Sequence, residues 1–134
     1  MGQPFVALLA VLLSMGILDA IWLTTMTERL YRRQMPDLLL ATPQWVPAIL
    51  FYLVYAAAVT HLVVLPALER GDSSLRVVIT GALLGLAAYG TYDLTNHATI
   101  RGWSPVVTIV DLAWGTTLTA LVSIVAVLVA RRFG

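Results

Sequence analysis

Two heptapeptides, Asp19-Ala20-Ile21-Trp22-Leu23-Thr24-Thr25 and Asp111-Leu112-Ala113-Trp114-Gly115-Thr116-Thr117, share one arrangement: an acid three residues before an indole, then paired threonines. A third acid, Asp93, stands in Tyr92-Asp93-Leu94-Thr95-Asn96. All three lie inside apolar stretches, where an Asp at a helix centre costs roughly 2.5–3.5 kcal/mol even on lenient scales. Carboxylates kept at that cost suit proton handling, cation binding or recognition of a polar headgroup.

Their neighbours extend the constellation. Tyr89, Tyr92, Asp93 and Asn96 fall at i, i+3, i+4 and i+7, which is one stripe on a helix. Tyr52 and Tyr55, also three apart, add two more phenols. The candidate ligand-binding set is therefore Asp19, Trp22, Tyr52, Tyr55, Tyr89, Tyr92, Asp93, Asn96, Asp111 and Trp114. The candidate catalytic groups are Asp93, Asp111 and Asp19.

Composition dictates what positions them. The chain has 134 residues, 60% hydrophobic and 11% charged, whereas a soluble domain carries about 25% charged residues. About 20 apolar residues cross a bilayer as a helix, and four segments qualify: residues 5–27, 46–66, 76–97 and 105–130. Their apolar runs are continuous rather than alternating, which disfavours a closed barrel. The sequence predicts an all-α integral membrane protein, an antiparallel bundle of four transmembrane helices forming one domain over residues 1–134. The first apolar run lacks a basic leader and is read as a retained helix.

Short connections should make successive helices neighbours. Glu28 to Trp45 reads as the longest loop, opening with a short interfacial helix. Pro66 is expected to end the second helix, Gly71-Asp72-Ser73-Ser74 to turn and cap the third, and Pro105 to begin the fourth. One face, side A, carries Arg70, Arg76, Arg131 and Arg132; the other, side B, carries Arg29, Arg32, Arg33 and Arg101. That tie leaves the positive-inside rule undecided. The terminal Arg131-Arg132 pair tilts the reading toward both termini in the cytoplasm, with dual insertion as the alternative.

At about 1.5 Å of rise per residue, Asp19, Asp93 and Asp111 converge in the side-B half of the bilayer, roughly 7–12 Å deep. Helices one and four run oppositely, so Asp19 should lie level with Trp114 and Trp22 with Asp111. A reciprocal clasp follows, each indole N–H donating to the opposite carboxylate. Such a clasp also serves as interhelical glue, but a neutral Asn would do that at lower desolvation cost. Arg29 and Arg101 are the nearest counter-ions from side B. Trp45, Trp103 and Tyr31 read as interfacial anchors. His61 falls on the far face of helix two, and Gly81-x-x-x-Gly85 reads as a close-packing face within the protomer or for a homodimer through helix three.

Several chemistries lack their residues. There is no cysteine, no phosphate loop, nucleophile elbow or dinucleotide fingerprint, and no His-x-x-Glu or Glu-x-x-His pair. No metal is expected, no cofactor is named, and a net charge of +1 gives no case for nucleic acid.

Longer strings carry a resemblance. Leu18-Asp19-Ala20-Ile21-Trp22-Leu23, Phe51-Tyr52-Leu53-Val54-Tyr55 leading to Leu65-Pro66-Ala67-Leu68, and Gly81-Ala82-Leu83-Leu84-Gly85 are three of them. The most specific are Tyr89-Gly90-Thr91-Tyr92-Asp93-Leu94-Thr95-Asn96-His97-Ala98-Thr99, Gly102-Trp103, and Val110-Asp111-Leu112-Ala113-Trp114-Gly115-Thr116. Over nearly the whole chain the sequence resembles the bacterial membrane-protein family catalogued as domain of unknown function 2177. The resemblance implies a small four-span protein of the bacterial inner membrane. It implies no activity and no catalytic residues.

The leading expectation is a pocket open toward side B that binds or processes a small amphipathic or lipid-like molecule. An enzymatic extension would use an Asp as general acid in isomerisation or hydration. One alternative is a dimeric proton- or cation-coupled small transporter. The other is an accessory subunit of a larger membrane complex.

Overall fold

Within hydrocarbon every backbone N–H and C=O must be satisfied inside the chain, which drives the apolar segments into helices. The computed structural model describes residues 2–134 and contains four helices long and apolar enough to cross a membrane: α1 (Gln3–Gln34), α2 (Trp45–Arg70), α3 (Ser74–Thr99) and α4 (Pro105–Phe133). There is no strand among the described residues. The protein is an all-α four-helix membrane protein.

Helix ends follow local chemistry. Gly71 stops α2 in the left-handed region at φ 68°, a conformation glycine adopts without a Cβ clash. Ser73 then caps α3, its hydroxyl accepting the Arg76 N–H at 3.2 Å. Ser104 does the same for α4, accepting from Val107 N–H at 3.3 Å, and Pro105 occupies the first turn, where no N–H is missed.

Two boundaries differ from the sequence reading. The first helix does not end near Thr27; it passes through a π-helical turn, Thr27–Tyr31, and continues to Gln34. Nor does Pro66 end α2. A second π-helical turn, Thr60–Val64, precedes it, and the helix runs on to Arg70. Proline lacks an N–H and its ring crowds the carbonyl four residues back. That carbonyl belongs to Leu62, inside the wider turn, so the helix accommodates Pro66 instead of breaking.

The core joins Ala7, Val11 and Met15 of α1, Ala56, Val59 and Val63 of α2, and Leu118, Val122 and Ala126 of α4. Helix α3 attaches through its glycine face. A Cβ at Gly81 would meet Ser123 Oγ at 2.8 Å and the Thr119 carbonyl at 3.0 Å; one at Gly85 would collide with the Gly115 carbonyl and Thr119. The Gly81-x-x-x-Gly85 face is thus filled by α4 of the same chain, and a homodimer through α3 would need its opposite face. Because the obstacle at Gly85 is backbone, Gly85→Ala is expected to destabilise the bundle by about 1–3 kcal/mol, the usual range for overpacking. Gly16→Ala, whose methyl meets nothing within 4 Å, should shift stability by less than about 0.5 kcal/mol. Thermal unfolding of both variants in detergent checks the contrast.

At side A, Asp72 accepts from Arg70 Nη2 at 2.7 Å, and its carbonyl accepts from Arg131 Nη2 at 2.7 Å. The Arg70 hydrogen bond holds the Asp72 carboxyl below its ordinary 3.8, with Arg76 and Arg131 acting in the same direction. A depressed carboxylate stabilises above its unfolded-state value and loses that contribution as pH falls through the lower folded value. The stability difference between wild type and Asp72→Asn should therefore be flat above about pH 5 and shrink only below about pH 4. Because Arg70 and Arg76 stand largely in solvent, the difference itself should be small.

Candidate functional site

Near side B the four helices border a partly open cavity of about 330 Å³. Helix α1 contributes Asp19 and Trp22, α2 contributes Tyr52, α3 contributes Tyr89, Tyr92 and Asp93, and α4 contributes Asp111 and Trp114. All three membrane aspartates line it. No Arg side chain does.

The three carboxylates stand in different surroundings. Asp19 is buried and doubly bonded: Oδ1 accepts from Trp114 Nε1 at 3.1 Å and Oδ2 accepts from the Tyr52 hydroxyl. The α1-to-α4 half of the expected clasp is formed. The other half is intercepted. Trp22 Nε1 donates to the Tyr31 hydroxyl at 2.9 Å, and that hydroxyl donates to Asp111 Oδ1 at 2.6 Å. Trp22 and Trp114 meet face to face, ring centroids 4.3 Å apart and planes 4° off parallel.

Asp93 differs from both. Its relative exposure is 0%, and neither Oδ1 nor Oδ2 meets an N–H or hydroxyl donor among the described residues; the one polar group within hydrogen-bonding reach is the Asp111 carboxyl. A buried polar group left in this condition costs about 1–3 kcal/mol, more if charged. In native structures such groups are accounted for by stored strain, a catalytic role, or a bound water or ion. Neither Arg29 nor Arg101, the expected counter-ions, forms an ion pair. The ion pairs among the described residues join Arg32 to Glu28 and Arg70 and Arg76 to Asp72, all away from the cavity.

Two expected site residues lie elsewhere. Tyr55 is buried in the core, its hydroxyl 2.7 Å from Thr119 Oγ1. Asn96 is half-buried and does not line the cavity. The expected opening toward side B is also modified, since Met35, Leu38 and Leu39 of the first loop line that end of the cavity. The loop is tied down where Met35 packs with Leu30 and Val107. A hydrogen bond from Ser104 Oγ to Gln34 Oε1 at 2.9 Å adds a second tie.

A family model described as a predicted membrane protein, DUF2177, matches residues 4–128. The chain belongs to that family. The match takes in all four helices and every carboxylate of the cavity. No curated protein matches the chain, and no solved structure does.

Sequence reasoning missed Tyr31 and Trp103 as members of the site, reading both as interfacial anchors. Trp103 lines the cavity and packs edge-on against Tyr92, centroids 5.8 Å apart, while its Nε1 donates to Thr108 Oγ1 at 3.0 Å. Tyr31 follows Trp22 by nine residues, roughly two and a half turns of an α-helix and so the opposite face. The π-helical turn between them takes up the extra residue and brings the phenol round to the indole. A tyrosine with an acid-facing site in the same half of the bilayer was the only available signal.

Proposed function

We propose that this protein binds a small amphipathic molecule inside the membrane, with the molecule's polar end at Asp93 and Asp111. The observation that carries this reading is the Asp93–Asp111 pair: Asp93 is fully buried at the cavity wall, meets no N–H or hydroxyl donor of the chain, and has a second acid as its polar neighbour. A cavity of about 330 Å³ is at the small end of ligand sites, which combine apolar walls with a few converging polar groups. Asp19 is consumed by Tyr52 and Trp114 and serves to hold the wall. Asp111 has one oxygen engaged by Tyr31 and stands beside Asp93, so the two acids form one polar locus for a ligand.

The test is native mass spectrometry of the protein released gently from its own membrane. The wild type should carry an additional small mass, and the Asp93→Asn variant should lose it while keeping the same helical content and unfolding cooperativity. A ligand-free wild type, or equal retention by Asp93→Asn, would remove the reading.

A further inference from the structure

The cavity's chemistry and a second cavity beside it narrow the class of molecule, taking the amphiphile-binding reading as given. Three carboxylates and several aromatic walls converge without one basic side chain. A phosphate or carboxylate headgroup would meet only like charge there, whereas an ammonium would meet Asp93 and Asp111. Aromatic faces favour the same cation. The indole N–H groups of Trp22 and Trp114 are already committed to Tyr31 and Asp19, and the two rings stack on each other, so what each indole offers a ligand is its outer π face.

The second cavity, about 260 Å³, is bounded by Phe51 of α2, by Ala88, Tyr89 and Tyr92 of α3, and by Asp111. Tyr89, Tyr92 and Asp111 belong to both cavities. The new space is apolar apart from the carboxyl and phenol groups at that shared wall. It lies where α2 and α3 stand apart. The Thr60–Val64 turn is what brings α2 to α3, while the side-B half, Trp45–Val59, packs on α1. Phe51 is 47% exposed and Tyr92 58% exposed on this side, which in a bilayer is the side of the lipid chains.

We infer that the site takes an amine-bearing lipid from the bilayer, its ammonium at Asp93 and Asp111 and its alkyl chain leaving between α2 and α3 past Phe51. The first loop covers the side-B end with Met35, Leu38 and Leu39. The gap between α2 and α3 lets the headgroup reach the carboxylates while the chain stays in hydrocarbon. A long alkyl chain keeps the amine in the hydrocarbon beside that gap, where a short water-soluble amine does not concentrate.

The probes are dodecylamine, dodecyl phosphate and butylamine, titrated onto the whole protein in maltoside detergent, which contains neither amine nor phosphate. Native mass spectrometry reads retention. Dodecylamine should be held at least about tenfold more tightly than either other probe, and Asp93→Asn should remove the preference. Ala88→Leu, which fills the second cavity only, should weaken dodecylamine at least about tenfold; Phe51→Trp gives the same test from the α2 side if Ala88→Leu does not fold. Equal retention of dodecyl phosphate would overturn the amine assignment and leave amphiphile binding standing. Equal retention of butylamine would overturn the bilayer source in favour of a soluble amine. Wild-type dodecylamine binding by both filled variants would overturn the path between α2 and α3. Failure of all three probes, with a molecule still retained from the native membrane, would overturn this inference alone.

Discussion

Asp93→Leu is expected to make the ligand-free protein more stable while abolishing its binding of an amphiphile. The first half follows from the absence of any N–H, hydroxyl or cation of the chain to satisfy the Asp93 carboxyl. Its polar neighbour is a second acid, Asp111, it forms no ion pair, and its exposure is 0%. Removing an unpartnered buried polar group recovers about 1–3 kcal/mol, and leucine adds apolar contact in a space bordered by a cavity rather than by tight packing. The second half follows from the loss of the cavity carboxyl that no N–H or hydroxyl donor of the chain engages. Stability must be compared after ligand removal, because a bound molecule stabilises the wild type in proportion to its occupancy. Unfolding midpoints of stripped wild type, Asp93→Asn and Asp93→Leu provide the comparison, with retained mass as the second readout. A group kept for structure would give the opposite sign, with Asp93→Leu the least stable of the three. The predicted combination, greater stability with lost binding, is what a residue retained at a stability cost for function produces.

The residues that made this site legible did so through cost and position. An Asp in hydrocarbon stands out in any apolar run, and helical rise alone brought Asp19, Asp93 and Asp111 to one depth. The antiparallel inversion of the two heptapeptides was enough to pair Asp19 with Trp114, a bond the structure contains. What lay beyond an irregular turn was then misplaced. Tyr31 was read as an interfacial anchor past the end of the first span, whereas the π-helical Thr27–Tyr31 turn carries α1 onward, and α2 was ended at its proline, whereas the Thr60–Val64 turn lets the helix run past Pro66. Tyr55 shows a subtler limit. Three residues separate it from Tyr52, which leaves it about 60° round the helix, enough to move its hydroxyl from the cavity to Thr119 in the core. The wall near Asn96 is supplied instead by Trp103 from the third loop, packed on Tyr92. Helix existence and the acidic residues were readable from local pattern; loop residues folded back over the cavity were not, since their placement depends on long-range contacts such as Met35 with Val107.

Asp19 should respond in the reverse sense to Asp93, though the two are the same side chain in the same cavity. Asp19→Leu leaves the Trp114 N–H and the Tyr52 hydroxyl without their acceptor. Each orphaned donor costs about 1–3 kcal/mol, giving a destabilisation of roughly 2–6 kcal/mol if neither finds another partner. Asp19→Asn keeps one acceptor oxygen and turns a donor toward the other group, so about half of that loss is expected. Trp114→Phe removes one of the two donors along with its need for an acceptor. In the Trp114→Phe background Asp19→Leu should therefore cost about 1–3 kcal/mol less than in wild type, a coupling that a double-mutant cycle reads directly. Additivity within about 0.5 kcal/mol would mean that the indole and the carboxylate do not hold α1 to α4. With coupling present, the aspartates divide the work: Asp19 gives its oxygens to Tyr52 and Trp114 and fixes the wall, and Asp93 on α3, which no N–H or hydroxyl of the chain engages, stands with Asp111 for whatever enters.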